Sequence, residues 1–356
     1  MQDKECQMFL PQTKASCKLK FSPDEVWRSL NIFDSTKNVD HITFFVGGPV
    51  WSVAWCPQPD NITAQPQFAA IATCINFQDD HRYSDEEAET GLIQVWEFDD
   101  VTDKPQKTEA TFGYGICHSY GAVWDMVWCP LGNTWQSPDG RPVKEQYCRL
   151  GLMAIACGDG EVRILSLPWP DDLRGSVSRK PRFYKAEPVM LLDPPGLGPA
   201  VAFESTICKS VAWSAVEPNL IAGGYGSGIV ALWDISNKSS FLIVCQPSPD
   251  LDVYALRPLT SWIAHSAAVN SIKFCPWKTE DRFILTAGSI DRNVKLWDLD
   301  DLIAPVKLFN KAGVNEIAWS YRWPGVFSGF DDGYTSQSTP SYYRDLIDGD
   351  EKVSLT

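Results

Sequence analysis

The sequence predicts an all-β repeat protein made of four-stranded antiparallel units, and three observations carry that prediction. Five stretches place an apolar residue and an aromatic one, five positions apart: Val50 and Trp55, Val123 and Trp128, Cys208 and Trp213, Val269 and Phe274, Val314 and Trp319. Each of the first four is followed by a run closing on a large apolar residue, at 91–96, 160–165, 228–233 and 291–297. The endpoints 96, 165, 233 and 297 recur every 69, 68 and 64 residues, and a fixed internal period means one supersecondary unit repeated. Between these landmarks apolar and polar residues alternate, as they do in half-buried strands.

Taken in order, residues 1–40 show no repeat and read as a weakly structured leader. Ser22, Pro23 and Asp24 resemble a helix cap and first turn leading into Val26, Trp27 and Leu30. The repeats run from 41 to about 335, and 336–356 reads as a polar tail. In the clearest unit, Phe283 opens a strand that enters a turn at Asp291. The next strand runs over 292–297, and 305–309 is a candidate outer strand. Insertions differ from unit to unit. The segment 79–89 carries six acids, 131–148 separates two strands, and 168–207 is long and rich in Pro, Gly and charge. Extra loops on a rigid repeat scaffold are common seats of specificity.

Composition narrows the function classes. The chain has 356 residues and a net charge of −14, a balance that repels nucleic-acid phosphates except through a local basic loop or a partner. No apolar stretch reaches the roughly 20 residues of a membrane span, and 1–10 has no secretory-signal pattern. The 11 Cys form no C-x-x-C pair and no zinc spacing with His, so they read as small buried hydrophobes in a reducing compartment. His81 in the acidic loop is the one conceivable metal ligand, and a solvated charged loop accounts for it better. The glycine-rich run 222–228 leads into a strand, so it is a turn and not a phosphate cradle. No catalytic motif, metal site, cofactor or small-molecule substrate is expected.

One basic cluster breaks the acidic background. Arg174, Arg179, Lys180, Arg182 and Lys185 lie together without an acid, with Phe183 and Tyr184 inside the run. Such a cluster either grips nucleic acid or an acidic partner, or is a solvated loop. Trp135, Trp169 and Trp262 lie outside the repeated strand motifs and are candidate partner-surface aromatics.

The stretches AHSAAVNSIKFCP at 264–276 and AGSIDRNVKLWD at 287–298 resemble the WD40 family. The resemblance implies a β-propeller of four-stranded blades, of which about five are recognisable. Propellers of this family close with about seven. Either the chain is a fragment with an incomplete ring, or unrecognised segments fill the ring. The family pattern also implies a polar network joining His265, Asp291 and Trp297, with Asp159 at the equivalent position of the second unit. The family's hydroxyl falls at Ala287, which leaves the relay incomplete; Thr90 and Ser227 replace the Asp in the first and third units, which should lack the network.

Further stretches, FVGGPVWSVAWCP at 45–57, VWDMVWCP at 123–130 and RLGLMAIACGDGEVRILSLP at 149–168, resemble the WD-repeat subunits of general transcription factor IIIC. That resemblance implies a nuclear, non-enzymatic scaffold. It would support recognition of internal promoters, in tRNA and 5S rRNA genes, for RNA polymerase III. Its implied partners are a second WD-repeat subunit and the large DNA-binding subunit, with DNA reached mainly through the complex. The alternative is an adaptor of another nuclear complex, a chromatin modifier or a ubiquitin ligase.

Overall fold

A computed structural model of the chain describes residues 7–20, 26–37, 41–58, 66–73, 90–99, 109–131, 149–173, 181–196, 207–246, 253–278, 282–288, 290–310, 314–322, 326–331 and 341–342. These residues fall into two compact units, one covering 1–159 with 163–191, the other 160–162 with 192–356.

The first unit opens with a 3-10 turn at Gln7–Phe9 and the strands β1 (Ser35–Lys37) and β2 (Ile42–Phe44), which pair antiparallel. The first blade follows: β3 (Val50–Trp55), β4 (Gln67–Thr73), β5 (Gly91–Phe98) and β6 (Ala110–His118), side by side in chain order. The second blade is β7 (Val123–Trp128), β8 (Arg149–Cys157) and β9 (Val162–Pro168). After it come a short helix α1 (Pro170–Leu173), then β10 (Phe183–Lys185) and β11 (Met190–Leu192). The strand β10 returns to the first blade and pairs parallel with the outer strand β6.

In the second unit the third blade is β12 (Cys208–Trp213), β13 (Leu220–Tyr225), β14 (Ile229–Asp234) and, after the hairpin β15 (Ile243–Gln246) and β16 (Val253–Leu256), the outer strand β17 (Thr260–Ile263). The fourth blade is β18 (Val269–Phe274), β19 (Phe283–Gly288), β20 (Asn293–Asp298) and β21 (Lys307–Asn310). The fifth is β22 (Val314–Trp319), β23 (Val326–Asp331) and β24 (Ser341–Tyr342). Five blade sheets are thus present among the described residues, the architecture of a WD40 β-propeller.

The five-residue spacing has a physical cause. In a regular strand, residues five apart point to opposite faces, because side chains alternate. Each inner strand here carries a β-bulge at one position, where the register slips between Val50 and Ser52, Val123 and Asp125, Cys208 and Ser210, Val269 and Ser271, and Val314 and Glu316. The extra residue turns the first and sixth positions onto one face. In the second, fourth and fifth blades that face packs on the preceding blade. Val123, Met126 and Trp128 join a core with Phe68, Ala70 and Ile93 of the first blade, and Val314, Ile317 and Trp319 join Leu285 and Leu296 of the fourth. The closing aromatic also forms a hydrogen bond across the joint. Trp128 Nε1 donates to the Ala54 carbonyl at 2.9 Å, and Trp319 Nε1 donates to that of Lys273 at 3.3 Å.

Three expectations need correction. Residues 21–25 lie outside the described residues, but 26–30 form no helix: Arg28 and Leu19 exchange backbone hydrogen bonds of 2.8 and 3.0 Å. Val26 and Trp27 are exposed, so no apolar helical face is buried there. The second concerns the end of the leader: it is tied to the first blade, with Phe33, Ile42, Phe44 and Val46 packed on Ala69, Ile71, Trp96 and Phe98. The third concerns the insertion at 168–207. Part of it serves as a brace, because Trp169, Leu173 and Tyr184 pack on the shared core of the first two blades, and Phe183 packs beside Phe9, Leu92 and Cys117.

Candidate interaction surface

The best-defined polar constellation lies in the fourth blade. His265 precedes β18, with Nδ1 2.7 Å from Asp291 Oδ2 and Nε2 2.7 Å from Thr286 Oγ1. The Trp297 Nε1–H donates to the same Thr286 oxygen at 3.1 Å. The relay is therefore complete, and its hydroxyl is Thr286, one residue before the expected Ala287. Strand alternation explains the shift: Ala287 points into the apolar cluster with Val294 and Leu296, so its neighbour faces the histidine. Burial holds the His265 pKa below its ordinary value against the pull of Asp291, and Lys295 adds to the lowering. The neutral ring then donates from Nδ1 and accepts at Nε2. Lys295, 3.8 Å from Asp291, offsets the carboxylate charge.

Asp159 does not repeat this pattern. It pairs with Arg163 through two contacts of 2.8 and 2.7 Å, a bidentate clamp. The Arg163 guanidinium lies 4.0 Å over the Tyr120 ring, which stacks on His118 at 5.5 Å. An Arg four residues on, at the start of β9, captures the carboxylate that a histidine would otherwise meet. The first blade has its own relay. Trp96 Nε1 donates to Gln94 Oε1 at 3.0 Å, and Gln94 Nε2 donates to the Val46 carbonyl at 2.7 Å and to Thr73 Oγ1 at 3.3 Å. Sequence reasoning missed Gln94, whose signal is an uncharged polar residue between the apolar pairs Leu92-Ile93 and Val95-Trp96 of β5.

His118 supports a pH prediction. Burial first, then the charge of Arg163, push its pKa from 6.5 down to about 3. Between those values the unfolded chain binds a proton that the folded chain does not. Its stabilising contribution is therefore complete above pH 6.5 and is lost progressively as pH falls toward 3. Melts of wild type and His118→Gln at neutral pH and at about pH 4.5 check this. The wild type should lose more stability than the variant, and equal losses contradict the assignment.

Of the basic cluster, Arg174, Arg179 and Lys180 lie outside the described residues. Arg182 is half-buried, and its carbonyl accepts from Gly115 N–H at 2.9 Å; Lys185 is exposed at the end of β10. The two aromatics inside the run are committed to packing: Phe183 lies 5.7 Å from Phe33, and Tyr184 6.1 Å from Tyr114. They are not a free stacking platform for bases.

The expected surface aromatics also need correction. Trp135 lies outside the described residues. Trp169 meets Phe68 edge-on at 5.1 Å, and Trp262 is only 9% exposed, edge-on to Trp297 at 6.0 Å. Both fill space inside or between blades, as apolar strand neighbours require. Exposed tryptophans lie instead at Trp27 and, inside the repeat motif, at Trp51 and Trp55 of β3. Trp51 is the bulge residue and meets Trp124, the bulge residue of β7, at 5.0 Å; Trp55 closes the strand. Bulges re-aim side chains, which is how a Trp inside a core motif reaches solvent.

In the second unit a cleft of about 280 Å³ is lined by Val216, Glu217, Phe274, Lys278, Arg282 and Leu299, among others. Arg282 bridges Glu217 at 2.7 Å and Asp300 at 3.1 Å, which raises its already high pKa. Among the described residues no group of three or more His, Cys, Asp or Glu side chains is placed to hold a metal ion.

Comparison with known proteins agrees with this architecture. Residues 256–298 match the family model described as WD domain, G-beta repeat. The chain is similar to general transcription factor 3C polypeptide 2 of Homo sapiens, 32% identical over 301 residues, covering 83% of this chain and 32% of that protein. The protein of the same name from Pongo abelii matches to the same extent. Transcription factor tau subunit sfc6 of Schizosaccharomyces pombe is 22% identical over 220 residues, covering 60% of this chain and 31% of that protein. The chain thus spans about a third of the length of these curated relatives. From its repeat match and the blades that carry it, the chain belongs to the WD40-repeat family.

Proposed function

We propose that the protein is a non-enzymatic WD-repeat scaffold subunit of the general transcription factor IIIC complex. In this role it supports internal-promoter recognition and RNA polymerase III transcription of tRNA and 5S rRNA genes. The observation that carries the proposal is the similarity over 301 residues, 83% of the chain, to a protein named general transcription factor 3C polypeptide 2. Its partners are then the other subunits of that complex, including a second WD-repeat subunit and the large DNA-binding subunit, and its place is the nucleus. A stack of blades suits this role, because each sheet is rigid while the loops between strands can vary to meet partners. Affinity purification with identification of the bound proteins tests the reading. It should recover subunits of the IIIC complex together with tRNA-gene chromatin. Recovery of a ubiquitin-ligase core or a chromatin modifier in their place sinks it.

The net charge of −14 makes this chain alone a weak DNA binder. Within the complex, any direct contact would come from the basic run at 174–185. Neutralising Arg179, Lys180 and Arg182 together removes three candidate phosphate contacts. The slope of log affinity against log salt, measured on a tRNA gene with complexes of verified composition, should then fall by up to about 3. An unchanged slope with weakened assembly assigns the run to an acidic partner protein instead.

A further inference from the structure

The leader departs from the acidic balance of the chain. Its residues 14–19 and 28–32 form an antiparallel ribbon ahead of β1. Leu19 and Arg28 exchange backbone hydrogen bonds of 2.8 and 3.0 Å, and the Ile32 N–H donates to the Lys14 carbonyl at 2.9 Å. One face of the ribbon is fixed to the protein. Leu30 is buried, and Ile32 lies against Gly47, where an added Cβ would meet its side chain. The Arg28 guanidinium donates to Thr36 Oγ1 of β1.

The reverse face carries a different chemistry. Leu19 stands opposite Arg28, so strand alternation puts Lys18 and Lys20 on the other side, with Trp27 across from Lys20. Burial agrees: Lys18, Lys20 and Trp27 are exposed, and Leu19 between the lysines is half-buried. Trp27 is 60% exposed. Among the described residues no hydrogen bond or ion pair engages the Lys18 or Lys20 side chain, and no ring packs on Trp27. No acidic side chain occurs in 7–20 or 26–33; the loop 21–25, which carries Asp24 and Glu25, lies outside the described residues. Lysines two positions apart on a strand stand about 7 Å apart, a distance that one extended nucleotide spans. The ribbon also adjoins the other basic segment. Phe33, just after it, lies 5.7 Å from Phe183, inside the basic run at 174–185.

We propose that the ribbon face of Lys18, Lys20 and Trp27 binds a single strand of nucleic acid, extending the basic run at 174–185. The two lysines pair with successive phosphates, and the indole stacks on a base. An accessible indole beside cations favours nucleic acid over an acidic protein, because every base offers a π face and a carboxylate does not. A duplex keeps those faces inside its own stack, so an unpaired strand fits. The charge of the rest of the chain, −14 overall, keeps the affinity modest and strongly salt-dependent. The inference rests on the transcription-factor reading only for where such a strand would be met.

Fluorescence anisotropy of the isolated full chain with labelled oligo(dT) and oligo(U), measured across salt, tests this. Wild type should bind at low salt, and the tighter of the two probes tells DNA from RNA. Lys18→Gln with Lys20→Gln should lower the slope of log affinity against log salt by up to about 1.4, for two lost phosphate contacts. Trp27→Ala should weaken binding about tenfold at every salt concentration with the slope unchanged, and Trp27→Phe should keep most of the affinity. All three side chains are exposed, so melting temperatures should not move. Absence of binding at low salt, or variants that bind like wild type, overturns the proposal. Equal binding of polyglutamate, lost in the same variants, overturns it too and gives the face to an acidic protein. No other subunit is needed, so the outcome does not depend on which complex holds the chain.

Discussion

Trp297→Ala should lower the unfolding free energy by about 3–5 kcal/mol, the usual cost of removing a core aromatic. Trp297 is 3% exposed and packs with Ala212, Ala222 and Ile284 at the joint between the third and fourth blades. Its loss leaves a cavity and deprives Thr286 of a donor. Two smaller variants separate the terms. Thr286→Val keeps the volume but leaves His265 Nε2 and Trp297 Nε1 without a partner, at about 1–3 kcal/mol. His265→Ala strands Asp291 beside Lys295 at a similar cost. Denaturant melts should rank Trp297→Ala as the most damaging of the three. If His265→Ala were worse, the polar relay and not the packing would hold the blade.

Trp128→Ala should cost about as much, roughly 3–5 kcal/mol, for a different reason. Its ring fills the joint between the first two blades, lying against Gly151, where an added Cβ would come within 3.0 Å of the indole. Trp128→Phe keeps most of the apolar area and loses the hydrogen bond to Ala54, so it should cost about 1 kcal/mol for that bond plus a small packing loss. Trp55→Ala in the isolated chain supplies the contrast. Trp55 holds the same repeat position but is more than half exposed, so its loss should cost well under half as much. Equal costs at Trp55 and Trp128 would contradict the assignment of the open face.

Much of the fold was legible in the sequence because the repeat is written in residues that bury completely. Val123, Trp128, Trp233 and Trp297 mark strand ends, and their spacing counts the blades. What the spacing could not disclose was its cause, the bulge, since an extra residue in one strand has no composition of its own. Polar partners were less legible. A shift of one residue separates Thr286 from Ala287, and a strand reverses faces over that distance. Asp159 met Arg163, a longer and already charged side chain four residues on, which spacing alone does not rank above a distant histidine. Trp169 and Trp262 were misread because a Trp outside a motif gives no sign of which face it joins. Trp51 and Trp55 hid inside a core motif whose face, in this blade, is left about half exposed.

The central claim, that this chain serves the IIIC complex as a scaffold, meets its most direct test in a nuclear extract depleted of the protein. Transcription from a tRNA-gene template should be lost, transcription by RNA polymerase II should be unaffected, and the purified complex containing this chain should restore activity. A depleted extract that still transcribes the tRNA gene at the level of a mock-depleted one would contradict it.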